Sequence, residues 1–260
     1  MRKRILMALL CGALVCLPLA GCNTGNNSNT SDSAQSEASA STETKTTNNK
    51  NSNQEYTDEV FAMDTYMTLT AYGENAQEAV EAGIAEIQRL DDLLSTGKET
   101  SEVAQINQNG GGVLSEDTEY LVKRALDIYQ STNGAFDISI YPVMQLWGFT
   151  TGNFAVPGES DLAAKLALVD AGKITLSEEN GQTSINLPEG MEIDLGGIAK
   201  GYTSGRVMEV MKSYGIESAV INLGGNAHVL GNKTDGSQWK VGIQDPNDTD
   251  GYLGGVNVTD

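Results

Sequence analysis

Soft and imidazole ligands are nearly absent from this chain, which has three cysteines and one histidine in 260 residues. Cys11, Cys16 and Cys22 all fall within the first 22 residues, so the remainder carries no thiol. That excludes disulfides, thiolate catalysis and cysteine-held metals from the folded part. The lone histidine, His228, cannot supply a histidine-rich zinc site and gives no support to a triad-type hydrolase. It sits in a strand-like stretch and reads as a satisfied structural residue. Cations are scarce too, with 16 Lys and Arg against 35 Asp and Glu, a net charge of −19. A surface that acidic argues against nucleic acid as a partner and against a polybasic membrane contact. No internal repeat and no transmembrane span is present.

The N-terminus is the exception to the acidic character. Arg2, Lys3 and Arg4 precede an apolar run that ends at small residues before Cys22. This is a secretory signal rather than a span, because Pro18 and the LAGC ending close it too early. Leu19-Ala20-Gly21-Cys22 is similar to a bacterial lipobox, in which the cysteine becomes the lipidated N-terminus. It predicts membrane attachment by a lipid anchor on Cys22, on the extracytoplasmic or periplasmic side of the cell membrane. An ordinary cleaved signal with an incidental cysteine is the alternative. Residues 23–55 hold only alanine as an apolar type and cannot offset their ordering entropy, so they read as a flexible tether. The expected organisation is a signal peptide over 1–21, a lipidated cysteine with its tether over 22–55, and a folded domain over 56–260.

Within that domain, alternation over 61–73 predicts a strand. Helical spacing predicts amphipathic helices over 75–95 and 117–134, the second stopped by Asn133-Gly134. The stretch 101–112 reads as a polar turn region. Residues 135–149, AFDISIYPVMQLWGF, read as extended at first and then bounded by Pro142, with Tyr141, Trp147 and Phe149 as packing residues. A helix near 160–170 is followed by two short strands turning at Glu179-Asn180-Gly181. Strands are also expected in 217–231 and 237–246. The closing GYLGGVNVTD is strand-like, with no finishing helix or turn.

Residues 193–211, IDLGGIAKGYTSGRVMEVM, carry the densest chemistry. They read as a strand end, a two-glycine turn and a helix. Gly196 and Gly197 could take positive φ and approach a ligand closely, helix-start amides favour an anion, and Lys200 adds a mobile charge beside Asp194. From spacing alone the same residues also read as an ordinary strand-to-helix turn with a surface lysine.

The segments SEVAQIN, TNGAFDISIYPVMQLWGF, IDLGGIAKGYTSGRVMEVM, AVINLGGNAHVLG and WKVGIQDP, in that order and at this spacing, resemble the ApbE family of bacterial flavin transferases from about Phe61 onward. The resemblance implies an α+β fold, an ApbE-like (T-fold-like) domain of two intermixed α/β subdomains. It implies transfer of the FMN half of FAD to a threonine or serine hydroxyl of a target protein, with magnesium and release of AMP. The acceptor would be an exported or membrane redox flavoprotein. By motif, Met63, Ala135, Phe136, Asp137, Asp194 and Lys200 match FAD-contacting positions, and Gly197 matches a residue whose backbone oxygen faces Mg2+. The family's main metal carboxylate and a threonine ligand belong to a segment beyond Asp260, so the sequence is expected to be C-terminally incomplete.

The resemblance names no catalytic base within this chain. Phe136 could stack on a flavin ring or pack in the core. Asp137 could meet ligand or cap a turn. Asn222-Leu223-Gly224-Gly225-Asn226 could approach a dinucleotide or form a strand-end bulge. Two rival functions stay open: a FAD pyrophosphatase producing FMN and AMP, and a non-catalytic flavin-binding lipoprotein.

Overall fold

The alternating stretch that reads as one strand is two. In the computed structural model, which describes residues 54–259, Glu55–Ala62 (β1) and Thr65–Tyr72 (β2) pair antiparallel with Ala62 opposite Thr65. Met63 and Asp64 are left as a two-residue turn with φ of 48° and 57°. Positive φ at both positions matches the twist of a tight hairpin, which Asn-Gly normally supplies. The turn is invisible to periodicity because Met63 is no turn former, Asp64 alone is a weak signal, and both arms alternate. Placing a methionine there costs on the order of 1 kcal/mol or more. The signal segment, Cys22 and the tether up to residue 53 lie outside the described residues.

β2 is central in a four-stranded antiparallel sheet, β1-β2-β6-β7, with Ser218–Leu223 as β6 and Asn226–Leu230 as β7. Its inner face presents Met67, Leu69, Ala71, Ala219, Ile221 and Leu223, all fully buried. Two long helices cover it, Ala76–Leu94 (α1) and Gly196–Ser213 (α6). They approach closely because α1 has Gly83 at the contact. A Cβ there would lie 3.0 Å from Leu69 Cδ2 and 3.2 Å from Val207 Cγ1.

A second core forms around a three-stranded sheet, β3-β5-β4, made of Gly111–Val113 (β3), Thr175–Glu179 (β4) and Gln182–Asn186 (β5). Glu102–Asn109 (α2) and Glu116–Ser131 (α3) pack on it through Val103, Ile106, Leu121 and Val122. The long helices serve both cores. Val80 and Ile87 of α1 and Val207 and Met211 of α6 enter the first, whereas Leu90, Leu94 and Ala199 enter the second. Each fully buried Leu, Ile or Met contributes roughly 1.5–3 kcal/mol, so separating the helices would damage both cores at once. The fold is α+β with intermixed subdomains. Trp239–Asp245 (β8) and Asp248–Val258 (β9) add a hairpin, and the buried Trp239 ring lies 6.1 Å from that of Tyr72.

Three local expectations need correction. Residues 101–112 are not a turn region but α2 followed by β3. Ser101 Oγ accepts the Ala104 amide at 3.0 Å, and Gly110 at φ 70° closes the helix. Only Val103 and Ile106 mark its buried face, so the polar composition hid it. Pro142 does not bound an extended segment. A single helical turn, Ile138–Ile140, leads into Tyr141–Trp147 (α4), and Pro142 sits in the first turn of α4, where its missing N–H is no loss. A further short helix, Glu159–Leu166 (α5), follows as expected.

Ile193-Asp194-Leu195 ends no strand. The Asn107 side chain serves as its partner, donating from Nδ2 to the Ile193 carbonyl at 2.8 Å and accepting the Ile193 amide on Oδ1 at 2.7 Å. The Asp194 amide donates to the Ile138 carbonyl at 2.8 Å. These bonds set where α6 begins. Because orphaned buried backbone groups cost about 1–3 kcal/mol each, Asn107→Ala should lower the unfolding free energy by roughly 2–4 kcal/mol. Urea denaturation measures this, and a wild-type midpoint would show that the pair does not hold the segment.

Candidate functional site

A cavity of about 990 Å³ opens where the two cores meet. Ala62 borders it from the first core, Leu94, Ile138 and Ala199 from the second, and Met63 packs against both. All seven residues singled out for ligand or metal contact line this space: Met63, Ala135, Phe136, Asp137, Asp194, Gly197 and Lys200. They come from the β1–β2 turn, the segment ahead of α4, and the start of α6.

Met63 is held from three sides. Its amide donates to Asp91 Oδ1 at 2.9 Å, its sulfur lies 3.8 Å from the buried Thr203 hydroxyl, and both cores contact its side chain. Phe136 lies against the first turn of α6. A Cβ on Gly197 would come within 3.0 Å of its Cε2 atom, and one on Gly196 within 2.9 Å of Asp194 Oδ1. Both glycines are helical, and neither takes a positive φ. Their contribution is the missing side chain rather than conformational freedom.

The open amide cradle expected at this helix start is largely closed. The Gly196 amide donates to Asp194 Oδ1 at 2.7 Å, and those of Ile198 and Ala199 donate to the Leu195 carbonyl. Positive charge at the site therefore rests mainly on Lys200 in the second turn. Burial pushes the Asp194 carboxyl above the usual aspartate value, and Asp64 adds to this, while the Gly196 amide and Lys200 pull the other way.

Asp137 is the turn cap it could have been. Oδ1 accepts both the amide and the hydroxyl of Ser139, at 2.8 and 2.6 Å, and Oδ2 accepts the Ala171 amide at 3.1 Å. It borders the cavity with both oxygens occupied. His228 is structural, with Nδ1 3.2 Å from Ser204 Oγ. Gly224 and Gly225 form the β6–β7 hairpin turn at φ 61° and 92°. A Cβ on Gly224 would lie 2.4 Å from Thr65 Oγ1, so this turn packs against the start of β2 and is not part of the cavity wall.

Sequence reasoning missed Asp64, Asp91, Lys98 and the 95–97 loop, all of which face the cavity. Lys98 bridges Asp91 and Asp92 at 2.5 and 2.6 Å, and these bonds raise its pKa above the usual lysine range. Charge pairing across the end of α1 was the available signal. Phe149 was assigned to packing; it is half exposed on the cavity wall, with its ring stacked 6.0 Å from Trp147. Tyr141 is buried as expected.

The metal expectation at Gly197 finds no supporting donor set. Among the described residues no group of three or more His, Cys, Asp or Glu side chains is placed to hold an ion. Asp91 and Asp137 already have partners, so among the described residues the carboxylates left at the cavity are Asp64 and Asp194, the latter with Oδ1 on the Gly196 amide; a magnesium ion held by these would draw its other oxygens from substrate phosphates and water.

The cavity brings the Met63 side chain, the rings of Phe136 and Phe149 and the Lys200 side chain to one space. The molecule is thus an α+β protein with a cavity at the seam of its two subdomains. A family model described as the ApbE family matches residues 63–260, and the chain belongs to that family. It is 31% identical over 211 residues to a FAD:protein FMN transferase of Klebsiella pneumoniae (strain 342), covering 79% of this chain and 64% of the relative. A FAD:protein FMN transferase of Treponema pallidum (strain Nichols) is 27% identical over 218 residues, 75% of this chain and 59% of its own. The chain therefore spans about three fifths of the length of these relatives. The crystal structure of the ApbE protein of Thermotoga maritima superposes with a TM-score of 0.73 at 27% identity, covering 79% and 68% of the two chains. The flavin transferase ApbE of Vibrio cholerae does so at 0.66 and 26%, covering 75% and 65%.

The Asp194 shift has a measurable sign. A carboxyl held above its unfolded value contributes stability below that value and loses it as pH rises through the folded value. Asp194→Asn removes the loss, so its melting temperature relative to wild type should climb as pH is raised from about 3 to about 7. A flat or falling difference would show that Asp194 ionises without penalty.

Proposed function

We propose that this chain transfers the FMN half of FAD to a threonine or serine hydroxyl of an exported or membrane redox protein, releasing AMP. The observation that carries the reading is the convergence of Met63, Ala135 to Asp137, Asp194 and Lys200 on one cavity in a member of the ApbE family. Relatives named FAD:protein FMN transferase support it.

In the reaction the acceptor oxygen bonds to the FMN phosphorus, the bridging P–O bond breaks, AMP leaves with that oxygen, and the hydroxyl proton is released. Charge grows on the leaving phosphate, and the Lys200 ammonium, which borders the cavity, would offset it. Phe136, pressed against Gly197, offers a fixed apolar face for the isoalloxazine ring. Asp194, whose carboxyl takes up a proton more readily than an exposed aspartate, borders the same space. Asp137 accepts three hydrogen bonds from Ser139 and Ala171, which favour a structural role over that of a base. The reaction is proposed to need magnesium, but the described residues supply no complete site for it, and the roles above use only the chain's own groups. A lipid on Cys22 would keep the domain at the membrane face where its acceptor resides.

The protein is tested with FAD, magnesium and a candidate acceptor, scored by flavin fluorescence that survives denaturing electrophoresis. A magnesium-dependent fluorescent acceptor band is expected. AMP without such a band would mean hydrolysis to FMN, and stoichiometric FAD binding without AMP would mean carriage alone. Lys200→Ala and Asp194→Ala should each lower the rate at least about tenfold, the loss that follows removal of one transition-state charge contact. Wild-type rates in both variants would sink the site assignment.

A further inference from the structure

Asp91 stands on α1, outside every motif that pointed to the cavity, yet it is bonded to the backbone of one cavity residue. Oδ1 accepts the Met63 amide at 2.9 Å, and Oδ2 accepts the Lys98 ammonium at 2.5 Å. Lys98 is also bound to Asp92 Oδ1 at 2.6 Å, so it ties the end of α1 to the loop that follows. The carboxylate is thus gripped on one oxygen and presents the other to a turn that needs support. Met63 and Asp64 take left-handed φ of 48° and 57°, which an aspartate tolerates but a methionine holds only where the surroundings impose it. The Met63 side chain is clamped by the Thr203 hydroxyl and by both cores, but its backbone bond to Asp91 is the one charge-assisted contact.

We propose that Asp91, oriented by Lys98, is a positioning residue that fixes the Met63–Asp64 turn in the geometry the ligand meets. The inference rests on the reading that this cavity takes FAD. It assigns Asp91, which itself borders the cavity, an effect on flavin affinity that runs through Met63. An acceptor at the Oδ1 position is what the turn requires; the negative charge strengthens that bond and engages Lys98.

The test compares FAD dissociation constants, by quenching of flavin fluorescence, for the wild-type chain and Asp91→Ala, Asp91→Asn and Asp91→Glu, with the melting temperature of each. Asp91→Ala should bind FAD about tenfold more weakly, as expected when a charge-assisted hydrogen bond to an amide is lost. Asp91→Asn, which keeps an oxygen acceptor at the same reach but not the ion pair, should return to within about threefold of wild type. Asp91→Glu keeps the charge but moves the acceptor by one methylene, and it should stay weak. If Asp91→Ala fails to fold, the Asn and Glu variants decide alone. Equal weakness in Asn and Glu, or Glu binding better than Asn, would overturn the positioning role and leave a plain ion pair. Unchanged affinity in Asp91→Ala would overturn it too. A wild-type chain that binds no FAD would instead refute the flavin reading and carry the inference down with it, a result distinct from the variant patterns.

Discussion

The contact between α1 and α6 is the constraint on which the rest depends. It exists because residue 83 has no side chain, so Leu69 and Val207 can close to the space a Cβ would take. With the helices that near, each can feed two cores, and the sheet of β1, β2, β6 and β7 is locked to the subdomain of β3, β4 and β5 without a separate linker. A cavity at such a seam is bordered by groups that cannot drift independently. Met63 touches both cores, and Ala199 enters the second core while its neighbour Lys200 borders the cavity.

Polar bonds then set the cavity's edges. Asn107 stands in for a missing strand and fixes Ile193, the Ile138 carbonyl fixes Asp194, and Asp194 in turn takes the first amide of α6. Asp137 ties the Ile138–Ile140 turn to the backbone at Ala171. On the opposite wall Asp91 secures Met63. The result is a wall of backbone and short side chains whose positions are over-determined, with Lys200 as the flexible charge. Preorganisation of this kind lowers the ordering cost that a bound ligand would otherwise impose.

What the sequence made legible follows from what its patterns encode. Helices α1 and α3 are long and amphipathic, and Asn180-Gly181 is a turn by its own chemistry, so all three could be read directly. α2 could not, since eight residues with two buried positions carry too little periodicity. The Met63–Asp64 reversal could not either, because the positive φ at Met63 is imposed by surroundings rather than by residue type. The cavity-lining residues became readable through resemblance, and spacing around Gly196 left them ambiguous. Asp91 and Lys98 had no motif to announce them. The bond of Asp91 to the Met63 amide spans 28 positions of sequence, a contact that only the folded chain creates.

A crystal structure of the protein with FAD bound tests the central claim most directly. The account predicts the isoalloxazine ring against Phe136 near Met63 and the phosphates beside Lys200, within the seam. Occupancy elsewhere would contradict it, for example in the separate groove of about 600 Å³ bordered by Arg89, Tyr202 and Arg206.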